Sequence, residues 1–147
     1  MRAVVTRVKS ASVTIDGQVV SAIGGGFLVL LGVHRDDGEK EAVRLADKVC
    51  GLRVFEDENG KMNLNLKAAG GEILVVSQFT LYGDCRSRRP GFTEAARPET
   101  AVPLYELFMA ECEKRGFTVL SGEFGADMLV ASENDGPVTL LLDTDTL

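Results

Sequence analysis

The fold is decided by the stretch Ile73-Leu74-Val75-Val76-Ser77-Gln78-Phe79-Thr80-Leu81-Tyr82-Gly83. Its first four residues are all apolar, which predicts a buried central strand. Ser77, Gln78 and Thr80 then bring polar groups to the place where the apolar run would continue, and Gly83 begins a turn. Burying an unpaired polar group costs about 1–3 kcal/mol. The strand end therefore holds either a local cap or a site, and this stretch alone leaves both interpretations open.

The composition is that of a globular chain with a core of its own. It has 147 residues, of which 45% are hydrophobic, and we expect a single domain spanning residues 1–147. No apolar run approaches the ~20 residues that cross a bilayer, and the first residues lack a signal-peptide pattern. We therefore expect a cytoplasmic protein without a membrane partner. The net charge of −6 argues against non-specific nucleic-acid binding, although it allows a local basic patch.

The cysteines and the histidine form no recognisable metal or nucleophile motif. Cys50, Cys85 and Cys112 are widely spaced and make no C-x-x-C pair, so we expect neither a zinc site nor a disulfide framework. His34 is the only histidine, and it falls in a turn where we expect it to be exposed to solvent. A Ser-His-Asp or Cys-His mechanism would depend on that one residue, so we disfavour both.

The order of the predicted elements indicates an α+β fold, in which two helices pack on a mostly antiparallel, barrel-like sheet. One helix is predicted over about 38–52 with Asp37 as its cap, and the other over 99–115 with Gly116 ending it. The predicted strands cover residues 2–8, 11–15, 18–23, 27–33, 53–56, 62–66, 73–76, 117–121, 128–133 and 138–143.

A second unusual stretch, Asn134-Asp135-Gly136-Pro137-Val138-Thr139, separates the last two predicted strands. Ordinary turn chemistry explains it as a hairpin. A Gly-Pro bond also adopts the cis form at a cost of only about 0.5–1 kcal/mol relative to trans. Because glycine has no Cβ, the backbone at Gly136 is able to approach a ligand closely.

Taken together, the two stretches resemble a known family. Ser77-Gln78-Phe79-Thr80-Leu81 and Asn134–Thr139 are similar to the two signature motifs of the D-aminoacyl-tRNA deacylases, and the likeness covers essentially the whole chain. The resemblance implies a cytoplasmic homodimer that needs no cofactor or metal and has its active sites at the subunit interface. It also implies hydrolysis of the ester that joins a D-amino acid, or glycine, to the 3′-terminal adenosine of tRNA.

The resemblance extends to the roles of individual residues. Ser77, Gln78, Phe79 and Thr80 are the catalytic segment that it implies, and we expect two backbone N–H groups there, of Phe79 and Thr80, to stabilise the oxyanion. It further implies that a cis Gly136-Pro137 unit enters the other subunit's pocket and excludes L-amino acids. The residues expected to support that unit are Arg7, Val138 and Thr139. For Arg7, an exposed charge at a strand edge is the alternative.

A basic segment, Arg86-Ser87-Arg88-Arg89-Pro90, follows the catalytic segment. Arg86, Arg88 and Arg89 are candidates for contacts with tRNA phosphates, and a solvated basic loop is the alternative. Two other functions remain open at this point. One is a non-catalytic tRNA-binding module on the same scaffold, and the other is a hydrolase for a different ester that uses Cys85 as a thiol nucleophile beside Arg86.

Overall fold

Eight strands and three helices build the fold in the computed structural model, which describes residues 1–147. No helix is long and apolar enough to pass through a membrane. The helices are α1 (Glu39–Gly51), α2 (Leu66–Ala69) and α3 (Pro98–Lys114), and a 3₁₀ turn covers Phe79–Tyr82. The strands are β1 (Arg2–Ile15), β2 (Gln18–Ile23), β3 (Gly26–Gly32), β4 (Phe55–Glu56), β5 (Met62–Leu64), β6 (Glu72–Ser77), β7 (Val119–Ser121) and β8 (Leu129–Asp143).

The main sheet is organised around β1, because three other strands pair with it in the antiparallel sense. The strand order is β2-β1-β3-β6-β7, and β8 pairs with β1 as well. The β3–β6 and β6–β7 pairs are parallel. At the ends of this order, the Ser21 hydroxyl of β2 donates to the Ser121 carbonyl of β7 at 2.5 Å. The sheet is therefore nearly closed, which confirms the barrel-like α+β fold and adds two parallel pairs to it.

The two faces of β6 belong to two different cores. Ile73 and Val75 pack in the larger core between the sheet and the helices α1 and α3. Leu74 and Val76 pack in a smaller core inside the curled sheet. Because successive side chains of a strand point to opposite faces, this strand is buried on both sides, as its apolar run predicted.

Strand β8 runs without interruption where the sequence predicted two strands joined by a hairpin at 134–139. That prediction is wrong because both halves of β8 pair with β1 and not with each other. Thr139 pairs with Thr6 and Asn134 with Val8, so residues 135–138 face Arg7 alone and must bulge out of the strand. The predicted break between residues 8 and 11 of β1 is absent for the same reason, since β1 continues along β8.

The start of α1 is held differently from the prediction. Gly38, and not Asp37, is the N-cap residue, and its N–H donates to the Glu41 carboxylate at 2.8 Å. The Asp37 carboxylate instead accepts from the His34 N–H at 2.6 Å and lies 2.9 Å from the Met1 ammonium group. Asp37 therefore fixes the end of the preceding turn to the start of β1.

Two helix ends follow local rules. Gly116, with φ of +93°, follows Arg115, the C-cap residue of α3, and so ends this helix as predicted. The one-turn helix α2 was not predicted, because four residues are too few to show a helical period. Its cap is recognisable in retrospect, since the Asn65 side chain accepts from the Ala68 N–H at 3.0 Å.

Candidate active site

The polar segment after β6 turns the chain away from the sheet. The Gln78 N–H still donates to the Leu31 carbonyl of β3 at 2.8 Å, and the 3₁₀ turn follows. Within this turn the first donor is the Leu81 N–H, which bonds to the Gln78 carbonyl at 3.2 Å. The N–H groups of Phe79 and Thr80 come before it and have no acceptor in the turn. These two predicted donors thus lie in the first turn of a short helix that follows the end of β6.

The side chains of this segment differ in their surroundings. Gln78 donates from its amide nitrogen to the Thr80 hydroxyl. Ser77 is half-buried, whereas the Phe79 ring is 57% exposed. The hydroxyl of Thr80 is therefore held by an amide donor, and a donor does not activate a nucleophile.

The only histidine is engaged elsewhere. His34 Nε2 lies 2.9 Å from the Glu94 carboxylate, and Nδ1 accepts from the Asp36 N–H at 3.1 Å. His34 lies at the predicted turn, but its side chain is 25% exposed and therefore more buried than expected. With both ring nitrogens bonded, His34 offers no base to Thr80.

A cavity of about 330 Å³ opens beside the segment 77–80. That volume is at the lower end of the ~300–1,000 Å³ range of small-molecule sites. Asp127 is the only charged residue around it, and most of its walls are apolar. The walls comprise Leu31, Val33, Val76, Ser77, Gln78, Phe79, Ala96, Ala101, Tyr105, Phe124, Gly125, Ala126, Asp127, Met128 and Val130.

Tyr105 of α3 lines this cavity and ties the helix to strand β6. Its hydroxyl donates to the Val75 carbonyl of β6 at 2.9 Å, two residues before Ser77. Burial raises the pKa of Tyr105 to about 12. The centroid of its ring lies 6.1 Å from that of Phe124 in an edge-to-face arrangement. This contact holds the part of the cavity wall that Phe124 and the residues after it form. This wall was not predicted from the sequence, because Gly125 and Asp127 are ordinary turn residues before a strand and do not by themselves mark a site.

The second motif forms the bulge of β8. The Gly136-Pro137 bond is cis, as expected, and both residues are exposed. Arg7 donates from Nε to the Asp135 carbonyl at 2.9 Å and from Nη1 to the Val54 carbonyl. Because Arg7 is only 7% exposed, the alternative of an exposed strand-edge charge is wrong.

Asn134 braces the bulge from its other end, a contact that the sequence analysis did not assign. Its Oδ1 accepts from the Val138 N–H at 3.0 Å, and its Nδ2 donates to the Thr139 hydroxyl at 3.1 Å. Asparagine side chains commonly bond to backbone groups nearby, which is the signal that was available for this residue. Val138 and Thr139 thus serve as partners of Asn134.

The two motifs do not meet within one chain. Gly136 and Pro137 are absent from the cavity wall that contains Ser77. Ser77 pairs with Leu31 and Leu31 with Ala3, whereas the bulge lies opposite Arg7, on the far side of β1. A strand rises by ~3.3 Å per residue, and neighbouring strands lie ~4.8 Å apart. The distance between Ser77 and the bulge of β8 is therefore on the order of 15–20 Å.

The arginine loop forms a third, separate group. Asp84 and Gly91 close it with two backbone bonds of 2.8 and 3.0 Å. The Arg86 guanidinium chelates the Asp84 carboxylate, and this bond lowers the pKa of Asp84 to about 2. Arg88 and Arg89 are exposed and form no ion pair. The charge of Arg86 is thus balanced locally, while those of Arg88 and Arg89 are not.

The sequence of this chain is similar to those of known proteins. A family model described as D-Tyr-tRNA(Tyr) deacylase matches residues 4–143. The chain belongs to the D-aminoacyl-tRNA deacylase family. The D-aminoacyl-tRNA deacylase of Clostridioides difficile (strain 630) is 57% identical over 145 residues, covering 98% of this chain and 97% of that relative. The corresponding protein of Thermus aquaticus is also 57% identical, covering 98% of this chain and 95% of its own.

Two solved structures share this fold. A structure titled c-Myc DNA Unwinding Element Binding Protein has a TM-score of 0.92 at 44% identity, covering 97% of this chain and 98% of that one. A probable eukaryotic D-amino acid tRNA deacylase has a TM-score of 0.81 at 18% identity, covering 96% and 97%, and shows the fold alone. The resemblance found in the sequence is confirmed, and the chain is an enzyme of this family, a hydrolase.

Proposed function

We propose that two copies of this enzyme together form each active site, in the cytoplasm, and hydrolyse the ester between a D-amino acid, or glycine, and the 3′-terminal adenosine of tRNA. The observation that carries the proposal is the distance between the two family motifs. Each motif is held by its own hydrogen bonds, yet Gly136 and Pro137 lie far from the cavity beside Ser77. A second copy that inserts its bulge into this cavity would bring them together.

The surface of β8 favours such an assembly. This strand pairs only with β1, so its other edge is free along Leu129–Asp143. A long free edge is a template for association with another chain. Leu129 is 70% and Leu141 69% exposed on the same strand. A second copy that covers β8 would remove both leucines from water and would approach the bulge, which is part of that strand.

The chemistry that we propose rests on backbone donors. The N–H groups of Phe79 and Thr80 would stabilise the oxyanion formed at the ester carbonyl, and one such donor is typically worth about 3–4 kcal/mol. Water would be the nucleophile, assisted by the 2′-hydroxyl of the terminal ribose. The bond from Gln78 to the Thr80 hydroxyl supports an orienting role for both side chains. If Thr80 acted as a covalent nucleophile, Thr80→Ala would abolish deacylation, whereas we expect most of the rate to survive.

Selection against L-amino acids would use main-chain atoms. The carbonyl groups of Gly136 and Pro137 would occupy the space that an L side chain needs, while a D side chain would point outward. Glycine has no side chain and would be accepted. The bonds from Arg7 and Asn134 support this role, because an excluding group must stay in place. Since backbone atoms read only handedness, many different D-amino acids would be hydrolysed.

The unpaired arginines would contact the tRNA backbone. Arg88 and Arg89 are exposed and carry no local counter-charge, so they are available to phosphates. Arg86 would contribute less, because it is bonded to Asp84. The overall charge of −6 makes such a local patch necessary for binding an anionic substrate.

Mixing two inactive variants tests the shared site directly. One variant replaces Gly136 by a bulky residue, which would block the pocket of the partner, and the other is Phe79→Pro, which removes a proposed oxyanion donor. When the two are unfolded together and refolded, about half of the dimers are mixed, and each has one intact site, so about a quarter of the wild-type activity returns. No recovery, with dimers present by sedimentation, would mean that each chain uses its own Gly136.

A comparison of D-, L- and glycyl-tRNA then tests the substrate. We expect hydrolysis of the D and glycyl esters and none of the L ester. Alkylation of the exposed Cys85 tests the remaining alternative, a thiol hydrolase of another ester. We expect D-aminoacyl-tRNA hydrolysis to persist after complete alkylation, and its loss would favour the thiol mechanism.

A further inference from the structure

Two phenylalanine rings are exposed together beside the cavity. Phe79 is 57% and Phe92 38% exposed, and their ring centroids are 5.1 Å apart in an edge-to-face arrangement. Phe79 also lines the cavity, so the pair begins where the cavity opens. Exposed aromatic rings of this kind are unfavourable in water and commonly mark a binding surface.

The Phe92 ring is held in place by the turn beneath it. A Cβ atom added to Gly83 would lie 3.2 Å from Phe92 Cε1 and 3.0 Å from the Thr80 carbonyl, so glycine at this position lets the ring lie against the turn. The neighbouring backbone is fixed as well, because Gly91 bonds to Asp84 and the Ala96 N–H donates to the Val33 carbonyl at 2.9 Å. The ring pair is thus a preformed surface on an ordered segment.

Unpaired positive charges adjoin this surface. Phe92 follows the arginine loop directly, and Arg88 and Arg89 in that loop form no ion pair. Exposed aromatic rings next to unpaired arginines are the combination that binds single-stranded nucleic acid, since bases stack on the rings and phosphates bind the cations. The charge next to the rings therefore favours a nucleic acid over an apolar protein partner.

We propose that Phe79 and Phe92 form a stacking platform for an unpaired base of the tRNA 3′ end, next to the terminal adenosine. This inference rests on the proposed function, because it needs the esterified adenosine in the cavity that Phe79 lines. The 3′ end of a tRNA is single-stranded, so its bases are free to stack on aromatic side chains. The platform gives the enzyme a contact that a single aminoacyl-adenosine does not have.

Substitutions at Phe92 test the platform. Phe92→Leu keeps an apolar side chain without the aromatic face, and Phe92→Tyr restores the face. We expect Phe92→Leu to raise the KM for D-aminoacyl-tRNA about tenfold, as the loss of one base–aromatic stack predicts, and Phe92→Tyr to raise it less than about twofold. The KM for D-aminoacyl-adenosine should change much less, because this substrate lacks the neighbouring base. Val43→Ala, which alters a residue of similar exposure on α1, is the matched control.

The outcomes separate the platform from other roles of Phe92. Equal changes in KM for the two substrates, or no change for either, would overturn the proposal. A change in sedimentation of Phe92→Leu would show instead that the rings bind a second copy of the chain. If the wild type does not hydrolyse D-aminoacyl-tRNA, the proposed function fails by itself. Uncharged tRNA then tests the platform alone: Phe92→Leu must weaken binding of intact tRNA but not of tRNA trimmed of its unpaired 3′ nucleotides.

Discussion

Arg7 Nε donates to the carbonyl oxygen of Asp135 at 2.9 Å, which ties β1 to the bulge of β8. The same guanidinium donates to the Val54 carbonyl, and the residue is almost fully buried. A lysine does not reproduce this fork of donors, so we expect Arg7→Lys to lower the free energy of unfolding by about 1–3 kcal/mol. Urea denaturation measures the loss.

Arg53 provides the matched control for Arg7. Its Nε also donates to a backbone carbonyl, that of Asn63 at 2.8 Å, but on an exposed hairpin. We expect Arg53→Lys to change the free energy of unfolding by less than about 0.5 kcal/mol. Equal losses for the two variants would show that burial of Arg7 does not matter.

The space around Gly136 predicts the effect of a larger residue. Gly136 has φ of +139°, which L side chains rarely adopt. An added Cβ would lie 2.8 Å from Val138 Cγ2 and 2.9 Å from Arg7 Nη2. We expect Gly136→Ala to destabilise the fold by about 1–3 kcal/mol and to reduce kcat/KM for D-aminoacyl-tRNA. Gly24→Ala is the control, since no atom lies within 4 Å of its Cβ position, and it should leave both quantities close to wild type.

The stability of the protein should fall in strong base because of its two tyrosines. Burial raises the pKa of Tyr105 to about 12, and burial also raises that of Tyr82. In the unfolded chain a tyrosine loses its proton near pH 10. Between these pKa values the folded state binds more protons, so stability is full below pH ~10 and decreases as the pH rises toward 12.

The slope of the free energy of unfolding against pH separates the contribution of Tyr105 from that of Tyr82. We expect the free energy of unfolding to fall by up to about 1.4 kcal/mol per pH unit for each tyrosine between pH 10 and 11. Tyr105→Phe should show a shallower fall than the wild type over this range. Absorbance at alkaline pH, with a midpoint near pH 10 for both tyrosines in the folded protein, would contradict the expected burial effect.

The salt dependence of tRNA binding should separate the three loop arginines. Each lost phosphate contact reduces the slope of log Kd against log salt concentration by about 1. We expect Arg88→Ala and Arg89→Ala to reduce it by about that amount. Arg86→Ala should reduce it less, because Arg86 is already bonded to Asp84. A uniform response of the three variants would show that the Asp84 bond opens when tRNA binds.

Removal of one backbone donor tests the oxyanion role. Phe79→Pro removes the N–H of Phe79 in the first turn of a short helix, a position where proline is tolerated. We expect kcat for D-aminoacyl-adenosine to fall by about 10²–10³, the usual effect of losing one oxyanion donor. Phe79→Leu keeps the N–H and should retain most of kcat. Similar values for the two variants, both folded by circular dichroism, would exclude the Phe79 N–H as a donor.

Local sequence patterns predicted those elements of the fold that depend on residues close together in the chain. The four apolar residues of β6 indicated a strand buried on both faces, and the structure confirms it. The hairpin at 134–139 was wrong because the partner of both flanking segments is β1, more than a hundred residues away along the chain. Turn residues alone do not distinguish a hairpin from a bulge in a long strand.

Periodicity showed the same limit in α1. The helical spacing of Val43, Ala46, Val49 and Cys50 in the sequence predicts that these four residues form the buried face. Val43 is nevertheless 36% exposed, while Ala42 and Leu45 are fully buried. A helical period gives the spacing of the buried residues, but contact with α3 fixes which side faces inward. The cavity could also be predicted only in part. Ser77 was predicted because polar residues interrupt an apolar run there, whereas the apolar wall around Phe124 was not predicted.

The alternation of β6 between the two cores links their stabilities. Ile73 and Val75 belong to the core beneath the helices, and Leu74 and Val76 to the core inside the curled sheet. Displacement of this one strand exposes both sets to water at once. The helical layer and the curled sheet should therefore melt as a single cooperative unit, with no partly folded species that keeps one of them intact.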